Sequence, residues 1–491
     1  MSDFLCVKGL AKVASLGLLA VFLVQACAVN PVTGRQDFVM MSEAQEIELG
    51  QAYHREILKQ YARYDDEALQ SYVNAVGQRL AKESHRGDLK FHFTVLDSPD
   101  VNAFALPGGY VYITRGIMAY LNSEAELAGV LGHEIGHVTA RHSVRQQSTS
   151  AVTGLLGAII AASAGIDPEA VNVLGTAIVR GYGREHELEA DRLGAEYLAR
   201  LGYDPEHMIG VVRVLKNQEL YEKARAEAEG REYTGYHGLF STHPDNDKRL
   251  QEVIQAAKQH AGAVTQDENE RGYKSQLEGM VFGSGEKEGV VRGQRFYHKP
   301  LNASITAPAG WSVLNQPQQL LFVSPEKDAL IHVSLKNRGK NKTPQAFLRS
   351  MLGRAVEGQG ETLSKAGMPG YSTTIVVEQT PFGRRPVRYV VWFKNEQTWL
   401  FASVAKELGG LDLYEPDIMG SVKSLRALTA TEKTTVRPLR IQLLTADAST
   451  RYEALAQKFP AHDVTVQRLR LLNSDYPDQE PEPGQQLKII Q

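Results

Sequence analysis

The chain has 491 residues, more than one hydrophobic core usually serves, so two or three domains are expected. Its 54 Lys and Arg residues against 57 Asp and Glu residues give a formal net charge of -3. The charges are balanced, with no basic stripe and no acidic tail. This excludes electrostatic steering of partners by net charge and predicts no nucleic-acid partner.

The first residues have the pattern of a lipoprotein signal peptide, predicted over residues 1–26. Lys8 and Lys12 precede an uncharged apolar run, residues 14–24, that is too short to span a bilayer comfortably. The run ends in VQAC, where a small residue directly precedes Cys27 as in a bacterial lipobox. Cys27 is the predicted lipidation site, and the competing interpretation is plain cleavage beside an incidental cysteine.

The cysteine content and the residue after Cys27 indicate where the chain works. Cys6, the other cysteine, would leave with the signal peptide, so the mature chain would have no spare thiol, which fits the periplasm. Ala28, rather than Asp, follows Cys27, and this favours the outer membrane by analogy with lipoprotein sorting. A lipid anchor would hold a soluble body on the membrane without a spanning helix.

The next stretch alternates between helical and strand patterns. Ser42 and Gln45 fit a capping box at the start of one helix, and a second helix is predicted over about residues 66–84. LKFHFTVLD has a strand period, and NAFALPGGYVYITRGIM predicts a strand, a Pro-Gly-Gly turn and another strand. This order predicts an α+β fold whose first domain is mainly helical with a small β-hairpin.

The stretch VLGHEIGHVTARH places a His-Glu-x-x-His motif on the next helix. Ser123 and Glu126 fit a capping box at the start of this helix. The helix also carries Gly129, Gly132 and Gly136, each of which costs about 1 kcal/mol relative to Ala. Their presence predicts close packing, or a substrate, against the helix backbone.

The motif residues have the spacing of a metal site. Side chains at positions i and i+4 share one helix face, so His133 and His137 can bind one zinc ion. Glu134 can stand beside the metal, accept a proton from water as the general base and later pass it to the leaving amine. His142 lies nine residues past His133 and is predicted to face the opposite side of the helix, in a structural or surface role.

A third ligand would come from the acidic segment GREHELEADRLG. A catalytic zinc site has three protein ligands and one open position, and a Glu on a second helix can complete the set. Four acids compete on spacing alone: Glu185, Glu187, Glu189 and Asp191. The competing interpretation is a solvated acidic helix face, and the residues alone leave the choice open.

Two apolar runs separate the motif from this acidic segment, at residues 151–165 and 170–179. Both are shorter than a membrane span, so one interpretation is a buried helical hairpin. The other is a surface flap that touches lipid or unfolded proteins near the active site.

The chain is predicted to continue through a linker, residues 265–291, into two further units. Residues 292–428 are rich in strands and predict a small α+β domain of unknown role, an antiparallel sheet covered by one or two helices. Residues 436–491 follow the order strand, helix, helix, strand. Their LRLLN and PGQQLKI segments resemble a LysM module.

The His-Glu-x-x-His motif followed by EHELEAD resembles the gluzincin zinc metallopeptidase family of the CAAX prenyl protease, HtpX and BepA. The resemblance covers about residues 30–264, including NPVTG, NAFALPGG and STHP, and so outlines the metallopeptidase domain, residues 27–264. It implies a zincin-like fold and one Zn²⁺ per chain. Glu187 is then the third ligand beside the two motif histidines, and Asp191 orients a zinc histidine.

Two further sites are implied by this resemblance. NAFALPGG would present an edge strand beside the zinc, where Asn102, Ala103 and Phe104 pair with an extended substrate backbone. The alternative is an ordinary half-buried strand. His243 in STHP matches a histidine that can approach the zinc, acting as a regulatory fourth ligand or an oxyanion partner, and the alternative is a loop histidine that caps a helix.

The leading functional hypothesis is a membrane-tethered periplasmic zinc metalloendopeptidase. Its substrates would be unfolded or misassembled envelope proteins, above all outer-membrane proteins, as the periplasmic members of the family imply. One alternative is an envelope chaperone or scaffold whose zinc site is kept closed by His243. Another is a peptidoglycan-associated adaptor, in which the LysM-like tail does the main work.

Overall fold

The computed structural model describes residues 27–39, 41–148, 183–228, 252, 255, 258, 264, 265, 268–316, 319–353, 360–459 and 464–491. Helices and strands both contribute to these residues, which confirms the predicted α+β class. The predicted signal peptide, the two apolar runs and His243 lie outside the described residues. None of the described helices has both the length and the apolar composition needed to cross a membrane.

The described elements before residue 229 surround the His-Glu-x-x-His motif. The strands are β1 (Cys27–Val29), β2 (Gln36–Phe38), β3 (His92–Leu96), β4 (Ala103–Leu106) and β5 (Tyr110–Thr114). The helices are α1 (Glu43–Gln60), α2 (Glu67–Lys82), α3 (Arg115–Tyr120), α4 (Glu124–Thr139), α5 (Arg184–Arg200) and α6 (His207–Ala228). Residues 142–148 are helical as well.

The helix starts follow the predicted caps, with one difference. At α1, Ser42 Oγ accepts from Gln45 N and Gln45 Oε1 accepts from Ser42 N, which confirms the capping box. At α4, Ser123 Oγ accepts from Glu126 N at 3.1 Å, as predicted. The other bond of the predicted capping box, from Ser123 N to the Glu126 side chain, was wrong, because the Glu126 carboxylate accepts from Asn122 N at 2.6 Å instead. Asn122 lies in the tight link between α3 and α4, where its backbone N–H needs an acceptor.

The predicted hairpin forms two strands of a small mixed sheet in the order β3-β5-β4. β4 pairs antiparallel with β5 and leaves its other side as a sheet edge, while β3 runs parallel to β5. Gly108 and Gly109 make the turn with φ of 76° and 91°, values that L side chains rarely adopt. This turn sets β4 next to α4.

Helix α4 is the centre of this part of the molecule, and every one of its residues is buried. Its glycines allow α5 and α6 to approach closely. A Cβ at Gly136 would lie 3.1 Å from the Ala190 carbonyl oxygen, and one at Gly132 would lie 3.3 Å from Gly194 Cα. Helix packing therefore explains these two glycines.

The segment predicted as a linker contains helix α7 (Glu270–Leu277) and strand β6 (Val281–Phe282). Tyr273, Leu277 and Phe282 are buried in the same hydrophobic core as α2, α3 and α4. Tyr273 donates a hydrogen bond to the Met118 carbonyl at 2.7 Å. These residues thus extend the core of the N-terminal part.

The middle of the chain forms two antiparallel sheets. Three strands, β7 (Val290–Arg292), β8 (Arg295–His298) and β9 (Ala303–Thr306), make the first. The second has the order β10-β11-β12-β16-β15-β14-β13 and consists of β10 (Ser312–Gln316), β11 (Gln319–Val323), β12 (Ala329–Lys336), β13 (Glu361–Lys365), β14 (Met368–Thr380), β15 (Gly383–Lys394) and β16 (Gln397–Ala405). Helices α8 (Pro344–Leu352) and α9 (Gly410–Ser424) pack on it. The predicted hairpin turn between Lys394 and Gln397 is confirmed.

The C-terminal residues follow the predicted order of strand, helix, helix and strand. After α10 (Ala430–Thr435) come β17 (Leu439–Thr445), α11 (Tyr452–Lys458), α12 (Val466–Leu472) and β18 (Gln486–Ile490). β17 pairs with both β18 and β6, and the unit shares one hydrophobic core with the helices around the motif. Its identity as a LysM-like module and the domain boundaries stay predictions.

Candidate metal centre

The two motif histidines and one glutamate of α5 converge on a single point. The Nε2 atoms of His133 and His137 lie 3.0 Å apart. Glu187, in the first turn of α5, places one carboxylate oxygen 3.6 Å from His133 Nε2 and the other 3.5 Å from His137 Nε2. One ligand atom from each side chain lies within 4.8 Å of the others, and all three residues are buried.

This donor set suits a zinc ion. Zinc binds imidazole nitrogen at about 2.0–2.1 Å and carboxylate oxygen at about 2.0–2.2 Å, so two tetrahedral ligands lie about 3.3 Å apart. The separations of 3.0, 3.5 and 3.6 Å bracket that value. Three protein ligands would leave one position open, as in catalytic rather than structural zinc sites.

His133 is oriented by a carboxylate, as the resemblance implies. Asp191 lies one turn after Glu187 on α5, and its Oδ1 is 2.8 Å from His133 Nδ1. Asp191 is fully buried. A proton held on Nδ1 by this carboxylate leaves the Nε2 lone pair for a metal.

His142 does not face away from the motif, so that prediction was wrong. Its Nδ1 lies 2.8 Å from His137 Nδ1, and its side chain is fully buried. The prediction assumed one continuous helix, but α4 ends at Thr139 and Arg141 adopts a φ of 54° before the helical residues resume. This reversal turns His142 back onto His137.

Two of the four competing acids, all of which lie on α5, face α4. Glu187 and Asp191 form the i, i+4 pair at the histidines, and Glu189 contacts His142 at 2.9 Å. Glu185 is exposed. The acidic run therefore has a buried face at the motif, and the interpretation as a solvated face holds for Glu185 alone among these four.

Burial, hydrogen bonds and neighbouring charges shift the pKa values of His142 and the groups around it. Burial lowers the pKa of His142. Burial would raise the pKa of Glu189, but the hydrogen bonds and charges of His142 and Arg145 outweigh it and lower that pKa to about 2. His186 stacks on His142 with ring centroids 4.3 Å apart, and burial followed by the charge of His142 lowers its pKa to about 4.

Glu134 is on α4 between the two histidines, with an exposed fraction of 1%. Its carboxylate is therefore shielded from bulk solvent. Its neighbouring strand, β4, packs against α4.

The predicted substrate strand lies at the edge of the small sheet. Ala103 and Phe104 belong to β4, and Asn102 directly precedes it. Thr114 N donates to the Asn102 carbonyl at 3.0 Å, so hydrogen-bonded pairs alternate from there and the backbone groups of Ala103 and Ala105 face the free edge. The side-chain Oδ1 of Asn102 is buried and has no hydrogen-bond partner among the described residues.

A small cavity of about 10 Å³ opens between the end of β4 and the end of α4. Leu106 and Pro107 line one side, and His137, Arg141 and Val144 line the other. Arg141 is held there by Glu46, whose carboxylate accepts from it and from Arg86 at 2.9 Å each. The cavity therefore joins the edge strand to one of the histidines.

Sequence reasoning missed the outer residues of this site: His142, as a contact of His137, and also Glu189, Arg145 and Asp37. Arg145 contacts the Glu189 carboxylate at 3.1 Å and that of Asp37 at 3.2 Å. Asp37 lies in β2, far from the motif in sequence. The positive-φ turn at Arg141 was the missing step, because a single helical wheel cannot describe residues on both sides of it.

Comparisons with known proteins agree with this geometry. Residues 67–257 match the family model described as Peptidase family M48. The β-barrel assembly-enhancing protease of Escherichia coli K12 is 30% identical over 273 residues, which is 53% of this chain and 53% of that protein. The enzyme of the same name from Yersinia pestis is 32% identical over 48% of this chain and 49% of that protein.

A eukaryotic relative is the mitochondrial metalloendopeptidase OMA1 of Schizosaccharomyces pombe, 29% identical over 45% of this chain and 64% of that protein. The chain thus spans about half the length of the bacterial relatives it matches. The matched region contains the motif, Glu187 and Asp191. The similarity to Peptidase family M48 therefore covers the part of the chain that forms the candidate metal centre.

Proposed function

We propose that the chain is a zinc metalloendopeptidase. One observation carries this proposal: three buried ligand atoms, from His133, His137 and Glu187 on two separate helices, lie within 4.8 Å of one another. Two similarities support it: residues 67–257 match the model of Peptidase family M48, and the relatives are named as a protease in bacteria and a metalloendopeptidase in mitochondria. One Zn²⁺ per chain would bind there, and Asp191 would hold the His133 imidazole in its binding tautomer.

In the proposed reaction, Glu134 moves the proton. When bound, zinc supplies Lewis acidity that polarises the scissile carbonyl and acidifies water. Glu134 accepts the proton of the attacking water and delivers it to the leaving amine nitrogen as the peptide bond breaks. Its burial shields this carboxylate from bulk solvent.

We propose that substrates bind as an added strand on the edge of β4. Within the predicted segment Asn102, Ala103 and Phe104, only the backbone groups of Ala103 face the free edge, because those of Asn102 and Phe104 pair with β5. Pairing with Ala103, and with Ala105 beyond it, would recognise any extended chain with little regard for its side chains. Unfolded or misassembled envelope proteins, including outer-membrane proteins, offer such segments. The name of the bacterial relatives, β-barrel assembly-enhancing protease, supports this substrate class.

We further propose a periplasmic location with a lipid anchor on Cys27 at the outer membrane, supported by the lipobox pattern. His243 is proposed to close the site by approaching the metal, or to assist as an oxyanion partner. The C-terminal unit is proposed to be LysM-like and to contact peptidoglycan, since its order of elements fits that module.

The proposal is tested with purified protein and an unfolded substrate such as casein. Wild-type protein should bind one zinc per chain and cleave casein, and a chelator should stop cleavage. Glu134→Gln should retain the zinc but lose cleavage, whereas Glu185→Gln, exposed on α5, should behave as wild type. Zinc-loaded wild-type protein that leaves casein intact, with Glu134→Gln complementing a deletion strain, would support the scaffold alternative instead.

A further inference from the structure

A chain of polar contacts leads outward from the ligand His137. Its Nδ1 contacts His142 Nδ1 at 2.8 Å, and His142 Nε2 contacts the Glu189 carboxylate at 2.9 Å. Arg145 binds the same carboxylate oxygen at 3.1 Å and also Asp37 at 3.2 Å. The path joins α4, α5 and β2.

Metal binding at His137 fixes the proton positions along this path. An imidazole that binds zinc through Nε2 carries its proton on Nδ1, so His137 Nδ1–H donates to His142. His142 must then accept at Nδ1, which leaves its own proton on Nε2. That N–H donates to Glu189, whose carboxylate can only accept. Each contact therefore has one assignment of donor and acceptor.

The two ligand histidines are thus held differently. His133 donates directly to a carboxylate, that of Asp191, at 2.8 Å. His137 donates to a neutral imidazole that passes the interaction to Glu189. The additional histidine lengthens the connection, and the carboxylate at its end, that of Glu189, comes from α5 two residues before Asp191.

The outer end of the path explains the NPVTG segment, which the proposed reaction does not use. Asn30 is 3% exposed, and its Oδ1 accepts from the N–H groups of Val32 and Thr33 at 2.8 and 3.0 Å. Its Nδ2 donates to Asp37 at 2.6 Å. The turn between β1 and β2 therefore fixes Asp37, and Asp37 in turn fixes Arg145 behind Glu189.

We propose that His142 and Glu189 are positioning residues for the ligand His137, with Arg145 and the turn at Asn30 holding Glu189 in place. This inference rests on the proposed zinc site. Hydrogen-bond partners of ligating histidines typically contribute about 10–100-fold to metal affinity, because they fix the tautomer and the ring orientation.

The test measures zinc affinity by chelator competition in the full chain, together with thermal unfolding of the zinc-free protein. His142→Leu removes both hydrogen bonds. His142→Gln keeps an acceptor for His137 and a donor for Glu189. Glu189→Gln removes the charge at almost constant volume, and Glu185→Gln, one turn earlier on the same helix and exposed, is the matched control.

We expect His142→Leu to weaken zinc binding about 10–100-fold and Glu189→Gln to weaken it about 10-fold, with Glu185→Gln unchanged. His142→Gln should recover most of the loss. Equal affinity in wild type and His142→Leu, or an equal loss in the Leu and Gln variants, would overturn the proposal. If His142→Leu does not fold, unchanged affinity in folded Glu189→Gln overturns it. Wild-type protein that binds no zinc would instead contradict the proposed function itself.

Discussion

The side-chain Nζ of Lys488, in the last strand, donates a hydrogen bond of 2.6 Å to the carbonyl of Leu121, two residues before the cap of the motif helix. A second bond of 2.6 Å goes to the Ala119 carbonyl. Lys488 is fully buried, and Asn122 Nδ2 adds a bond to Ser474 Oγ at 2.8 Å. The C-terminal unit is therefore hydrogen-bonded to the residues that lead into α4.

Replacing this lysine should destabilise the peptidase part as well as the C-terminal unit. Lys488→Met leaves two carbonyls without their donor, so we expect a loss of about 2–4 kcal/mol in the free energy of unfolding. Calorimetry should show one lowered transition for both parts, because they share a core. Lys458→Met, on the exposed side of α11, is the control and should change stability by less than about 0.5 kcal/mol. Two separate transitions in the wild type would contradict this account.

The shared core also changes how a peptidoglycan contact must be tested. Deleting residues 436–491 would remove residues such as Leu469 and Leu487 from the hydrophobic core that they share with α2, α3 and α4. We expect the truncated chain to be insoluble or unable to bind zinc. A role for the tail in binding sacculi should therefore be tested with substitutions of exposed residues in the unit, using unchanged thermal unfolding as the criterion for a valid variant.

Low pH should lower the stability of the fold by protonating Glu124, which lies in the first turn of α4. Burial would raise the pKa of Glu124, but hydrogen bonds from Tyr203, Arg79, Tyr72 and Asn269 lower it from 4.5 to about 2. A carboxyl group with a lowered folded pKa stabilises the fold above its unfolded pKa and loses that contribution as the pH falls. The loss should occur between about pH 4.5 and 2.

Glu124→Gln isolates this effect. At pH 7 we expect the variant to be less stable by about 1–3 kcal/mol, because a charged hydrogen-bond acceptor is lost inside a buried network. The difference from wild type should narrow below about pH 4.5, as measured by urea unfolding across pH. Glu48→Gln, at an exposed position, is the control, and its free energy of unfolding should follow that of the wild type at every pH. A constant difference from pH 7 to pH 2.5 would show that the charge of Glu124 has no part in it.

A methyl group at Gly136 should push α5 away from α4. The added Cβ would lie 3.1 Å from the Ala190 carbonyl oxygen and 3.2 Å from Ala190 Cα, and both belong to the α5 backbone. We expect Gly136→Ala to weaken zinc binding, since Glu187 is on α5 and the histidines are on α4. In Gly420→Ala the new Cβ meets nothing within 4 Å. That control should gain up to about 1 kcal/mol of stability from helix propensity alone. Undiminished zinc affinity in a folded Gly136→Ala would refute the packing argument.

Backbone pairing on β4 predicts a periodic response to N-methylated substrates. In an added strand, every second N–H of the substrate faces β4, where the backbone groups of Ala103 and Ala105 are directed outward. Single N-methyl groups scanned along a cleavable peptide should raise KM at alternate positions near the scissile bond. A uniform response along the peptide would argue against recognition by backbone pairing.

Local patterns in the sequence predicted the elements that depend on neighbouring residues. The caps at Ser42 and Ser123 and the Pro-Gly-Gly hairpin are set within a few residues, and the structure confirms them. The spacing of the motif likewise predicted that His133 and His137 would share a helix face. The helix wheel failed at His142, because the turn at Arg141 is stabilised by tertiary contacts to Glu46 and the Met41 carbonyl.

Relationships between distant segments could not be predicted from the sequence. The choice of Glu187 among four acids depended on a family resemblance, because spacing alone fits two i, i+4 pairs. The buried position of Lys488 depends on how the C-terminal unit packs against α3 and α4, and a lysine in the pattern PGQQLKI gives no sign of it. Asp37 reaches the site only through a turn that precedes the motif by about a hundred residues.

The central claim is that His133, His137 and Glu187 hold one zinc ion, and metal content is its most direct test. Purified wild-type chain and Glu185→Gln should each contain one zinc per chain by mass spectrometry, while Glu187→Gln should lose it at equal protein stability in the zinc-free state. Full zinc occupancy with unchanged affinity in Glu187→Gln would contradict the claim.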